Sequence, residues 1–175
     1  SKALGIEAVY QDLALAPDLT VSDNIFLGRE VLRSGVRGRL GELDGPVMDR
    51  ASLDALEALG IKLKSVRIPV ERLSGGQRQA VAIARAVRWA TAAILLDEPT
   101  AALGTRQTRI VLETIRSAAA RGLGVLIISH DMPRMLELAD RIIVLRHGRD
   151  VAEYRSGETS ISQIVGAMLG ETVRE

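Results

Sequence analysis

Four groups of residues in this 175-residue chain have types and spacing that can do chemistry. The first is Ser74-Gly75-Gly76-Gln77, directly ahead of a helical pattern. A Ser-Gly-Gly turn that opens a helix presents unpaired backbone N–H groups, a hydroxyl and the positive end of the helix dipole, which together suit phosphate. Its glycines let a ligand come close to the backbone. The same residues also make an ordinary N-cap, the commoner use of a lone Ser-Gly-Gly. The second group is Asp97-Glu98, which closes the apolar run Ile94-Leu95-Leu96. Open α/β sheets bind ligands outside the carboxyl ends of their strands. An aspartate there can hold Mg²⁺, usually through water, and a following glutamate can polarise an attacking water. Two solvated acids in a loop would read the same way. The third is His130, after Ile127-Ile128-Ser129. It can hydrogen-bond a terminal phosphate, or it is a plain surface histidine. The fourth is Gln11, at the end of the first strand pattern, where a lone glutamine is usually an ordinary polar loop residue.

The elements that must position these groups are legible in the apolar spacing. Residues 5–11 read as a strand. Thr20 or Ser22 caps a helix carrying Val21, Ile25 and Phe26. Residues 28–46 hold five glycines with Arg33, Arg37 and Arg39 and read as a long surface loop. Residues 48–59 return to helical spacing, with Gly60 as the stop. After Leu73 the pattern alternates. Helices are expected at 77–89, 105–121, 133–139 and 160–169. Buried strands are expected at 93–96 and 124–129. Two further strands, 141–146 and 149–154, meet at a tight turn on His147-Gly148. Strands alternating with helices imply an α/β layer fold with a mostly parallel sheet.

Composition excludes several function classes. The formal net charge is +1, from 23 Lys and Arg against 22 Asp and Glu, so no strong field favours nucleic acid. Hydrophobic residues make up 47% and charged residues 26%, a balance that excludes wholesale disorder. There is no cysteine, which excludes disulfides, thiolate metal clusters and thiol catalysis. Tyr10, Phe26, Trp89 and Tyr154 are too few aromatics for a base-stacking surface. The apolar runs fall far short of the ~20 residues that a membrane span needs. With no signal-peptide pattern at the start, the expectation is a soluble chain that reaches a membrane only through a partner.

Taken together, the four groups resemble the nucleotide-binding subunit of an ABC transporter. Residues 73–79, LSGGQRQ, are similar to that family's signature motif. Residues 94–99, ILLDEP, resemble its Walker B strand with the catalytic glutamate. His130 falls on the switch histidine, and Gln11 falls on the Q-loop glutamine. The stretches YQDLAL, NIFLGRE, EPTAALG and ISHDMPRMLELADRI further resemble the ATPases of simple-sugar importers of the ribose, xylose or fructose type. Gly104 stands where most of the family has aspartate, a departure similar to a variant among the sugar-importer ATPases. The resemblance implies a P-loop NTPase-like ABC ATPase core, with 1–11 and 73–175 as the α/β core and 12–72 as an inserted helical subdomain. It implies ATP and Mg²⁺ as ligands, with Glu98 and His130 catalytic. Asp97 and Gln11 would lie at the metal, and Ser74, Gly75, Gly76 and Gln77 would bind the nucleotide of a second, head-to-tail ATPase subunit. It further implies transmembrane permease subunits as partners, an indirect link to an extracellular or periplasmic sugar-binding protein, and a peripheral place on the cytoplasmic face of the membrane.

The family also uses a P-loop, Gly-x-x-x-x-Gly-Lys-Ser/Thr, to cradle phosphates. None of the three lysines, Lys2, Lys62 and Lys64, follows a glycine, so the P-loop unit is absent from this sequence. The expectation is an N-terminally truncated chain that has negligible ATPase activity alone and self-associates through an uncovered sheet edge. Two other readings are kept. One is an ABC ATPase of the DNA-repair or translation type, disfavoured by the short insert and near-zero charge. The other is a non-enzymatic interaction module, disfavoured by the retention of Asp97, Glu98 and His130.

Overall fold

The computed structural model describes residues 4–170; Lys2 and the outermost ends of the 1–11 and 73–175 segments lie outside them. The chain divides into two compact units, 1–128 and 129–175.

The first unit is built on three parallel strands, β1 (Ile6–Val9), β2 (Ala93–Asp97) and β3 (Gly124–Ile128), ordered β1-β2-β3. Val9 lies opposite Leu96, and Asp97 lies opposite Ile128. All three strands therefore end at one edge, where a parallel sheet offers its binding positions. Strand β2 is central and alternates as a half-covered strand should, with Ile94 and Leu96 buried and Asp97 on the less covered face. Strand β3 departs from expectation. Its apolar run predicts a buried strand, yet Leu126 and Ile128 are 54% and 58% exposed. That run is real, but in this edge strand the face carrying those two side chains has nothing packed over it deeply enough to bury them.

Five helices accompany these strands: α1 (Val21–Phe26), α2 (Val36–Arg39), α3 (Gly45–Glu57), α4 (Gly75–Trp89) and α5 (Thr105–Ala120). Helix α4 is the hub, packing on α1, α3, α5 and β1. Ala80, Val81, Ala82, Ile83 and Ala84 are all fully buried. A helix surrounded on every side needs small side chains where neighbours approach, and alanine supplies them without helix cost. The helical segment 12–72 joins this hub through α1 and α3. Residues 28–46, read as loop, contain the one-turn α2 and a bridge between Leu32 and Leu43.

Thr20 is the cap of α1. Its hydroxyl accepts from the Asp23 N–H at 3.1 Å, and Asp23 returns a bond to the Thr20 N–H at 3.3 Å. The helix then delivers Phe26 to Trp89, whose rings meet edge to face at 5.6 Å between centroids. The Arg29 guanidinium lies 4.8 Å from the Trp89 ring centre and also pairs with Glu7. Arg88 lies over both rings, and the Trp89 indole N–H donates to the Ile25 carbonyl at 2.9 Å. One cation-π and aromatic cluster thus ties α1, α4 and β1 together.

The second unit holds α6 (Met132–Leu138), β4 (Arg141–Arg146), β5 (Arg149–Arg155) and α7 (Ile161–Leu169). Strands β4 and β5 form the expected antiparallel hairpin. Both turn residues, His147 and Gly148, have positive φ, 49° and 74°, as a two-residue hairpin of right-handed twist requires. Met135, Val144 and Ile164 are its buried core.

Candidate functional site

The signature turn opens α4. Ser74 is the N-cap: its hydroxyl accepts from the Gln77 N–H at 3.3 Å, and the Gln77 side chain accepts from the Ser74 N–H at 3.0 Å. The capping role read for this sequence is therefore present. It is compatible with anion binding, because the cap leaves the first-turn N–H groups of Gly75 and Gly76 without a carbonyl partner inside the helix. Ser74 is exposed and Gln77 half-buried.

The two glycines also serve packing inside the chain, which their spacing in sequence does not reveal. Gly76 is buried, and a Cβ built on it would stand 2.7 Å from the Gln107 Cβ and 3.0 Å from its Cα. A Cβ built on Gly75 would stand 3.3 Å from the Leu103 Cδ2. The close approach that Gly76 permits is to α5 of the same chain. Gln107 in turn accepts from the Gly104 N–H at 3.0 Å, so the signature turn rests on the segment that follows the acidic turn. Gly76→Ala is expected to lower unfolding stability by about 1–3 kcal/mol through overpacking. Chemical denaturation checks this, and a change inside about 0.5 kcal/mol would show that the contact can relax.

Asp97 ends β2 and Glu98 follows it; both are half-buried. The Glu98 N–H donates to the Ile128 carbonyl at 2.9 Å, so this residue continues the hydrogen-bonding to β3. Its φ is 47°, in the left-handed region, and Ala102 shares that region at 56°. Each non-glycine residue held there costs on the order of 1–3 kcal/mol. The turn is fixed against that cost by the bond from the Ala101 N–H to the Glu98 carbonyl at 3.1 Å and by burial of Pro99 and Thr100. Two left-handed positions four residues apart, one of them in the strand-end acid pair itself, make this turn a candidate functional segment.

Gln11 lies two residues past Val9, just as Asp97 lies one residue past its partner Leu96, so the two leave the same edge of adjacent parallel strands. Gln11 is exposed. The loop that follows it is firmly held. The buried Asn24 side chain accepts from the Ala16 N–H at 2.7 Å and donates to the carbonyls of Ala16, Leu19 and Thr20. Arg85 donates to the carbonyls of Leu13 and Ala14 at 2.8 and 2.7 Å. The only sequence signal of either residue is a broken local pattern: Asn24 sits beside Ile25 on a buried helix face, and Arg85 interrupts the apolar run of α4. Asn24→Ala should cost on the order of 1–3 kcal/mol, because the Ala16 N–H loses its acceptor and the carbonyls of Ala16, Leu19 and Thr20, which keep their backbone donors, each lose a second bond. Urea unfolding of the variant measures it, and an unchanged midpoint would contradict the role.

His130 belongs to the second unit, between β3 and α6, and is exposed. The neighbouring Asp131 caps α6, accepting from the Arg134 N–H at 3.4 Å and pairing with the Arg134 guanidinium at 2.5 Å. The structure thus brings Gln11, Asp97 and Glu98 to one edge of the sheet and sets the signature turn on the segment after Glu98.

The donor set suits Mg²⁺. A strand-end carboxylate and an amide oxygen are hard donors, and Mg²⁺ takes one or two such groups alongside phosphate oxygens and water. Among the described residues no group of three or more His, Asp or Glu side chains gathers to hold a metal alone. Among them also, no helix is long and apolar enough to cross a membrane.

Residues 2–101 match the family model described as ABC transporter. The chain is 42% identical over 172 residues to a fructose import ATP-binding protein of Rhizobium meliloti, covering 97% of this chain and 66% of that protein. It is 45% identical over 168 residues to a xylose/arabinose import ATP-binding protein of Sulfolobus acidocaldarius, covering 96% and 64%. The chain therefore spans no more than about two thirds of the length of these curated relatives. Among solved structures it resembles a dimeric ATP-binding cassette in a post-hydrolysis state bound to ADP and Pi, at 27% identity and TM-score 0.67, over 86% of this chain and 62% of that one. It shares its fold with a nucleotide-free ATP-binding cassette from an ABC transporter at 22% identity and TM-score 0.72, over 97% and 66%.

Proposed function

Because the chain belongs to the ABC transporter family, we propose that it acts in an ATP-binding subunit that hydrolyses ATP to drive sugar import. The observation that carries this reading is the shared carboxyl edge of β1 and β2, which gathers Gln11, Asp97 and Glu98 where an α/β sheet binds its ligand. The sugar reading draws on relatives whose names specify fructose and xylose/arabinose import.

In this reading Asp97 and Gln11 hold Mg²⁺, which when bound neutralises phosphate charge. Glu98 orients and polarises the attacking water; its backbone is fixed by the strained, hydrogen-bonded turn. His130 donates to the γ-phosphate as charge develops on it. Ser74, Gly75, Gly76 and Gln77 present their hydroxyl and first-turn N–H groups to the nucleotide of a second subunit, paired head to tail. The dimeric state named for a related cassette supports that pairing. The helical segment 12–72 faces the permease subunits, and the subunit lies peripherally on the cytoplasmic face of the membrane. A sugar-binding protein outside the membrane supplies the substrate.

Phosphate cradling requires a Gly-x-x-x-x-Gly-Lys-Ser/Thr loop that these 175 residues do not contain. These residues by themselves are expected to release no phosphate from ATP above background. The intact protein, assembled with its permease in lipid vesicles, is expected to hydrolyse ATP, and faster when its sugar and binding protein are present. Phosphate release measured in parallel on both preparations tests the proposal; an assembled importer silent toward ATP would contradict it.

A further inference from the structure

We propose that Arg85 is a positioning residue that clamps the loop following Gln11 onto the helix that begins with the signature turn. The inference rests on the ATPase reading above for its functional meaning and on geometry for its existence. Arg85 stands on α4, flanked by Ala84 and Ala86, both buried. Its guanidinium reaches out of that apolar surface and donates Nη2–H to the Leu13 carbonyl and Nη1–H to the Ala14 carbonyl, at 2.8 and 2.7 Å. Two neighbouring carbonyls in one fork are a match for guanidinium and a poor match for an ammonium. Burial pushes the Arg85 pKa below its ordinary value, and the Glu7 carboxylate opposes that shift. A partly desolvated cation is costly to place without a return, and the return here is control of the loop.

That loop needs control. Ala14 has φ 47°, a left-handed conformation that alanine adopts only when surrounding bonds impose it. Its carbonyl is one of the two that Arg85 grips. Three residues before Ala14 stands Gln11, at the edge of the sheet beside Asp97; two residues after it stands Ala16, held by Asn24 from α1. The loop is therefore pinned at one end to the helical segment and in the middle to α4. Helix α4 runs unbroken from Gly75 to Trp89, so the signature turn and the Gln11 loop are fixed to a single rod. In the head-to-tail arrangement these two elements serve different nucleotides, and Arg85 is the side chain that holds them in a set relation.

Amide hydrogen exchange of the chain and of its Arg85→Ala and Arg85→Lys variants tests the clamp. Arg85→Ala is expected to speed exchange in residues 11–16, including the Ala16 amide, by roughly 10- to 100-fold, with 93–97 and 105–120 unchanged. Arg85→Lys, able to reach one carbonyl, should fall between. Unchanged exchange at 11–16, or a rise shared equally by 93–97 and 105–120, would overturn the clamp and leave Arg85 a general packing residue. In the assembled importer, Arg85→Ala should lower kcat for ATP by about 10-fold or more with KM near wild type, since Arg85 touches no phosphate-binding group. A higher KM with unchanged kcat would contradict positioning. Loss of ATPase function in the wild-type assembly would sink the proposed function, while the exchange data would still decide the clamp.

Discussion

Glu98→Gln is expected to reduce ATP turnover by the assembled protein by about 10²- to 10⁴-fold while leaving the fold and Mg-ATP binding in place. The amide has the size and rotamers of the carboxylate but cannot accept a proton from water. The backbone features that hold this position do not involve the carboxylate: the N–H bond to Ile128, the carbonyl bond from Ala101, and a left-handed φ set by the turn. The substitution therefore separates chemistry from folding. Phosphate release and equilibrium nucleotide binding should be measured on the same sample. Turnover within a factor of about three of wild type would remove Glu98 from the catalytic role, because general-base loss in such sites is far larger.

Phe26→Ala is expected to be the most damaging single change to stability, at about 3–5 kcal/mol. Phe26 is 1% exposed and occupies the joint between α1 and α4. Truncation removes the edge-to-face contact with Trp89 and the ring beneath Arg88, and leaves a cavity that the short α1 cannot close. In a chain of this size each kcal/mol shifts Tm by roughly 2–4 °C, so a fall of about 6–20 °C is expected. Trp89 is the only tryptophan in the sequence and reports directly on the cluster. Its emission should move to the red in the folded variant as water reaches the indole. A loss below about 1 kcal/mol would show that α1 repacks and that the cluster is not what holds it.

The elements that were easiest to read were those whose stabilisation is local. The Thr20 and Ser74 caps, the 105–120 helix and the His147-Gly148 turn each carry their own signal in side chains within a few residues. The acidic pair and the signature turn were legible for the same reason. What spacing could not convey was what lies against each element. The run at 124–128 is apolar enough for a buried strand, and whether it is covered depends on the neighbours that β3 lacks in this sheet. Gly76 reads as a residue that lets a ligand approach the backbone, but spacing does not show that the side where its Cβ would stand is filled by Gln107, thirty-one positions further along the chain. Asn24 and Arg85 make their bonds to carbonyls of other segments, and backbone groups carry no sequence signature. Their only trace was a polar residue where the periodicity called for an apolar one.

The most direct test of head-to-tail pairing is complementation, in the intact protein assembled with its permease, between two inactive variants, Ser74→Arg and Glu98→Gln. Each nucleotide would meet the acid turn of one subunit and the signature turn of the other. A mixed pair then has one site with both defects and one with neither. With equal amounts and random pairing, half of all pairs are mixed, so ATP turnover should recover to about a quarter of wild type from two preparations that are each silent. Turnover that stays at background at every mixing ratio, with pairing verified, would contradict a nucleotide site shared between the two chains.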